Sequence, residues 1–153
     1  MSRRTAIRVG SDVLSVQQVT ESVARFGDRY LERVYTEHEI SSASGSSAVQ
    51  AARLAARFAA KEAAIKVLRP VGHQPDWRTM EVRRHAGGWC TMALSGHAAT
   101  LAEKAGITDL AVSLTHDGDV AAAVVVALCD RPGAEAVERA EIPVGLIERK
   151  GAV

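Results

Sequence analysis

The sequence predicts an α+β fold, on three observations. A helix-forming run without Gly or Pro extends from Ser47 to Arg69, and Pro70 closes it. Leu110, Val112 and Leu114 alternate with Ala111, Ser113 and Thr115, the period of a half-buried strand. Asp117-Gly118-Asp119 then signals a hairpin turn before the near-continuous apolar run Val120–Leu128, expected to be a buried strand. One long helix combined with hairpin-linked strands belongs to the α+β class.

The remaining elements follow in chain order. Ile7, Val9, Val13, Leu14 and Val16 read as an opening strand, with Gly10-Ser11-Asp12 in its middle or at a bend. A glycine inside a strand marks a bulge or a close approach to the backbone. Thr20 or Ser22 is expected to cap a helix through Val23 and Phe26, and a second helical segment carries Tyr30, Leu31, Val34 and Tyr35. Thr36-Glu37-His38-Glu39 has the spacing of a capping box. Ser41 to Ser47 reads as a flexible loop by composition. Beyond the long helix, two short strands around Met80–His85 and Trp89–Leu94 flank a Gly87-Gly88 turn. Ser95 is expected to cap a helix over His97–Lys104 that stops at Gly106.

At 153 residues the chain suits one domain with a real core. Lys+Arg 19 against Asp+Glu 18 leaves a formal charge of +1, so no global field marks a nucleic-acid binder, and an anionic ligand must be caught by a local cluster. Aromatic residues at 4% argue against base-stacking platforms. Cys90 and Cys129 form neither a disulfide framework nor a zinc spacing. No leader-like or span-length apolar run is present, which predicts a cytoplasmic protein without membrane attachment.

The most informative stretch is Arg57-Phe58-Ala59-Ala60-Lys61-Glu62-Ala63-Ala64-Ile65-Lys66. At roughly 100° per residue, Leu54, Phe58, Ile65 and Leu68 gather into one apolar stripe. Lys61 projects into that stripe, Glu62 and Lys66 lie along one edge, and Arg57 borders the other. Glu62 and Lys66 have the favourable i,i+4 order of a simple surface pair. Charges beside a buried stripe, however, need partners, and a carboxylate among cations on a rigid helix can hold a metal ion while the cations take a phosphate. Asp12 and Glu62, two hard oxygen ligands from different elements, suit magnesium, which takes one or two carboxylates and leaves other positions to water and phosphate. Asp12 is equally readable as a strand-bulge or turn residue. His116, at a strand end beside a tight turn, is placed either to accept a proton or contact phosphate, or simply to pack there. No phosphate-binding Gly-rich loop and no nucleophile elbow is present.

In sequence order, Gly10-x-Asp12, the RFAAKEAAIK helix, Trp77 leading into Met80-Glu81-Val82, and Ser113-Leu114-Thr115-His116 resemble the holo-acyl-carrier-protein synthases, the short phosphopantetheinyl transferases. The resemblance runs from about Ile7 to Leu128, and its most specific part is the FxxKExxxK helix. It implies the α+β fold of that family: a small antiparallel sheet packed with a long central helix, assembled as a homotrimer with active sites at subunit interfaces. Residues 1–129 are expected to form the transferase domain on this reading, and 130–153 a charged, mobile extension with a helical stretch near Ala134–Glu141.

The resemblance also implies roles. Asp12 and Glu62 match magnesium ligands. Lys66 matches a lysine on the coenzyme A pyrophosphate that also assists the nucleophile. Arg57 and His116 match coenzyme A contacts, His116 near the 3′-phosphate and from a neighbouring subunit, and Lys61, in the same motif, is counted with them among the coenzyme A-binding residues. Glu62, Lys66 and His116 are thus the expected catalytic residues. The implied reaction moves 4′-phosphopantetheine from coenzyme A to a serine of an acyl carrier protein, of fatty acid or polyketide biosynthesis, and releases adenosine 3′,5′-bisphosphate. The serine proton goes to a nearby carboxylate or a metal-held water. Arg25 and Arg29, with Arg33, recur every four residues and would give the acidic carrier a basic face if one helix continues through Gly27. The sequence departs from the family pattern in three places. Val67-Leu68-Arg69-Pro70 replaces a small Gly-containing turn, Gly87-Gly88-Trp89 replaces a Gly-Lys-Pro type turn, and Arg53 stands in for a basic residue usual slightly earlier. The competing reading is a non-catalytic module of the same fold that binds coenzyme A or a carrier protein.

Overall fold

The computed structural model describes residues 4–131, and the expected extension beyond residue 130 lies almost wholly outside the described residues. Eleven elements are described within that range. They begin with strand β1 (Arg4–Ser15) and helices α1 (Val16–Phe26), α2 (Asp28–Val34) and α3 (Glu37–Ser42). The long helix α4 (Ser47–Leu68) is followed by a 3-10 turn, Trp77–Thr79, and the hairpin β2 (Met80–Arg84) and β3 (Cys90–Leu94). Helix α5 (Gly96–Lys104) leads to the closing hairpin, β4 (Ile107–Asp117) and β5 (Val120–Arg131). One sheet has the order β1-β5-β4 and the other pairs β2 with β3, all antiparallel. This is the expected α+β architecture, with the expected single sheet divided into two.

Helix α4 lies across the inner face of the three-stranded sheet. The sequence suggested one apolar stripe, but the helix is buried nearly all round: Ala51, Leu54, Ala55, Ala59, Ala60, Ala63, Ala64 and Val67 are all inside. Alanine makes this possible, because its short side chain lets sheet and helix approach closely while keeping the strongest helix propensity. Ser46 caps the start through Val49 N–H, and Arg69, left-handed at φ 52°, ends the helix with its N–H on the Ile65 carbonyl.

Two local expectations give way. Helix α1 is capped by Ser15, not Thr20 or Ser22, whose hydroxyls instead bond back to Val16 and Gln18 carbonyls. Asp119 reinforces the cap by accepting from both Ser15 Oγ and Gln17 N–H. Strand β5 is buried on one face only. Ala121, Ala123, Val125, Ala127 and Cys129 point inward, whereas Val120, Val124 and Leu128 are exposed. Ile7, Val9 and Val13 of β1 are also exposed, and the register sets Ile7 opposite Leu128 and Val9 opposite Val126. Ile7, Val9, Val13, Val120, Val124 and Leu128 therefore form an apolar outer face away from α4, while Leu14, Leu110, Val112, Leu114 and Val125 pack into the core.

Candidate active site

Strand β1 runs straight through Gly10-Ser11-Asp12 with no register shift against β5, so Asp12 is a mid-strand residue and not part of a bulge. Gly10 serves the other purpose expected of a strand glycine. A Cβ there would collide with the Ala63 carbonyl oxygen, so the missing side chain is what lets β1 lie on α4. Two residues along the same face, Asp12 meets Lys66: Nζ donates to Asp12 Oδ1 at 3.2 Å and to the Ser11 carbonyl at 2.5 Å. Glu62, one turn before Lys66, feels both charges. Burial pushes its carboxyl up, Asp12 pushes it further, and Lys66 partly offsets both. Two mutually repelling carboxylates with one half-exposed ammonium between elements make a site for a cation and an anion together.

The donor set fits magnesium by its chemistry: hard carboxylate oxygens, few enough to leave positions for water and phosphate. Among the described residues no group of three or more His, Cys, Asp or Glu side chains gathers to hold a metal alone. Asp12 and Glu62 alone would leave the remaining positions of such an ion to water or to ligand oxygens.

A second site lies elsewhere on the chain. An open cleft of about 620 Å³ is lined by residues that include Arg53, Arg57, Arg84, Gly88, Cys90 and His116. Arg57 is 4% exposed, with Nη1 on the Arg53 carbonyl and Nη2 on Ser42 Oγ, while its buried Nε has no hydrogen-bond partner. Burial lowers its guanidinium pKa. Glu39 and Cys90 oppose that shift, and the neighbouring cations Arg84 and Arg53 add to it. Such a cluster of arginines calls for an anion. Asp12, Glu62 and Lys66 do not line this cleft. Asp12 is on edge strand β1 and His116 on the opposite edge strand β4. Five residues also turn Glu62 from Arg57 by roughly 140° around α4.

Lys61 takes a different place from the one expected. Its ammonium is fully buried, and all three donors are used, on Glu39 Oε2 at 2.8 Å and on the Trp77 and Met80 carbonyls at 2.8 and 2.7 Å. Burial lowers its pKa against the pull of Glu39. Glu39, held by the capping box seen in the sequence, also accepts from Thr36 N–H and Val82 N–H. Lys61 is thus a structural residue joining α3, α4 and β2, with no donor left for a ligand. The basic face also differs. Gly27 (φ 55°, ψ −136°) breaks the chain into α1 and α2, so Arg25 and Arg29 are both exposed but belong to different helices. Arg84 was not foreseen, and no spacing signal singles it out. It reaches the cleft because its pairing with Cys90 fixes which face of the β2–β3 hairpin it occupies.

Residues 8–125 match the model of the 4′-phosphopantetheinyl transferase superfamily. The chain belongs to this superfamily. It is similar to a holo-[acyl-carrier-protein] synthase of Gloeobacter violaceus, 39% identical over 118 residues, which span 77% of this chain and 89% of that protein. The counterpart from Koribacter versatilis is 40% identical over 119 residues, 76% of this chain and 94% of the relative. Among solved structures, the Chronobacterium ammoniagenes ACPS–CoA complex superposes with a TM-score of 0.71 at 31% identity, covering 83% of this chain and 99% of the other. The transferase fold and family are those the FxxKExxxK helix indicated. Among the described residues of this transferase, no helix is long and apolar enough to cross a membrane.

Proposed function

We propose that this transferase is a holo-acyl-carrier-protein synthase: it moves 4′-phosphopantetheine from coenzyme A to a serine of an acyl carrier protein, with Mg²⁺, and releases adenosine 3′,5′-bisphosphate. The observation that carries the reading is the Asp12–Glu62–Lys66 cluster, assembled across β1 and α4 by the close contact at Gly10. The relatives' names and the coenzyme A complex of a solved neighbour support it.

Asp12 and Glu62 would hold the ion, which when bound would neutralise pyrophosphate oxygens and the charge developing on the leaving phosphate. Lys66 reaches the pyrophosphate from its half-exposed position beside them. Arg57, with Arg53 and Arg84, fixes the phosphate of the nucleotide end, and His116 contacts it from the cleft rim. The serine oxygen attacks the phosphorus bearing pantetheine and gives its proton to a nearby carboxylate or to water. The bond from that phosphorus to the bridging oxygen breaks, and the nucleotide leaves with the bridging oxygen. Because the two groups of residues lie apart on one chain, one coenzyme A is held between two subunits of a homotrimer. The apolar outer face of the β1-β5-β4 sheet is the surface that assembly covers.

Incubation with an acyl carrier protein, coenzyme A and Mg²⁺, followed by mass spectrometry of the carrier, tests the reading. A carrier heavier by one phosphopantetheine supports it. No modification of carriers from several pathways replaces it with the binding-module reading.

A further inference from the structure

Lys66 is bonded to the wrong partner for a residue that meets a phosphate. Its ammonium sits on Asp12 Oδ1 and the Ser11 carbonyl, beside the carboxylate of Glu62, where a cation between the two acids belongs. The two ends of this contact differ in freedom. Asp12 is 20% exposed and fixed on a strand paired along its whole length, whereas Lys66 is 52% exposed on a flexible four-carbon stem. A divalent ion and an ammonium at this range repel each other and compete for the same oxygen. The side chain that yields is Lys66.

We propose that Lys66 is a placeholder: its ammonium fills the cation position on Asp12 until Mg²⁺ enters, and entry releases it to bind the coenzyme A pyrophosphate. The proposal rests on the metal assignment above and adds an order to it. Metal without substrate must displace Lys66 with nothing to receive it, so it binds weakly. With coenzyme A present the displaced ammonium gains a phosphate, and the two ligands reinforce each other beyond their direct contact.

Two measurements test this on the intact chain. In the first, Mn²⁺ affinity is read by electron paramagnetic resonance without coenzyme A. Lys66→Met binds about two- to five-fold tighter than the unaltered protein, the factor by which an exposed ion pair holds off a competitor. In the second, isotope-labelled lysine is followed by NMR. The chain has four lysines, and the signal lost in Lys66→Met identifies Lys66. Mg²⁺ alone moves that signal to its position in Asp12→Asn. Metal binding that leaves the Lys66 signal unmoved, or no tighter binding by Lys66→Met, overturns the placeholder and leaves the metal site standing. Absence of metal binding in both proteins overturns the metal assignment itself.

Discussion

Glu62 carries a charge where its surroundings resist one. Its carboxyl is raised first by burial and then by Asp12, against a smaller pull from Lys66. A raised carboxyl stays protonated longer in the fold than in the unfolded chain, so ionising it costs folded-state stability. Below the ordinary value of 4.5 both states are protonated and the cost is absent. It grows as pH rises from there through the raised value and is constant above. Glu62→Gln therefore gains stability at neutral pH, by only a few tenths of a kcal/mol because the group is partly solvated. That gain disappears in acid, and the variant transfers no phosphopantetheine. Urea denaturation at neutral and acidic pH checks the sign. A glutamate present to pair with Lys66 would give the opposite result, a less stable variant at neutral pH.

At the scale of elements, helix α4 shows what the sequence made legible. Its bounds, its stop before Pro70 and the Glu62–Lys66 edge all follow from propensity and spacing, which are local properties, whereas the Ser46 cap falls inside a stretch that reads as loop. The left-handed Arg69 in place of a glycine is also visible as a departure in the sequence, and costs about 1–2 kcal/mol in that conformation. For Lys61 periodicity put the side chain in the buried stripe correctly but could not name its partners, and the coenzyme A role implied by the motif fails. Its partners Glu39, Trp77 and Met80 come from elements far along the chain, and only tertiary packing makes it inaccessible. Arg84 was missed for the same reason, since hairpin register, not composition, turns it into the cleft. Lys61→Ala leaves Glu39 charged and buried without its ammonium, and is expected to destabilise the fold by about 3–5 kcal/mol, read by chemical denaturation. Replacing both members, Glu39→Gln with Lys61→Met, costs less than the single change because no charge is stranded. Helices α1 and α2 carry a separate expectation. With Gly27 dividing them between two helices, Arg25 and Arg29 do not share one helix face, and the expectation rests on their exposure alone: charge reversal at both raises KM for the carrier protein and leaves coenzyme A affinity intact, as steady-state kinetics with each substrate varied will check. An equal rise in both would place these arginines in the coenzyme A site instead.

At the scale of the whole molecule, the apolar residues facing outward are the part of the sequence pattern that one chain does not use. Val120–Leu128 reads as a strand buried on both faces, but only the face with Ala121, Ala123, Val125 and Ala127 is buried, and Val120, Val124 and Leu128 on the other side stay exposed with Ile7, Val9 and Val13. An exposed apolar face of this kind marks an interaction surface, and under the proposed homotrimer another copy covers it. Val9→Asp with Val124→Asp is thus expected to sediment as a single folded chain without activity. The sharper test concerns the two groups of site residues. Glu62→Gln destroys the carboxylate group and leaves the arginine cleft intact, whereas His116→Ala with Arg84→Ala does the reverse. If each active site joins the carboxylates of one subunit to the cleft of the next, co-expression of the two inactive variants creates interfaces with both groups whole. Random assembly in equal amounts gives roughly a quarter of the interfaces that composition, and so roughly a quarter of full activity. Mass spectrometric counting of modified carrier measures it. Activity no greater than the sum of the separate variants would mean that each chain completes its own site, and the cleft would then need another ligand.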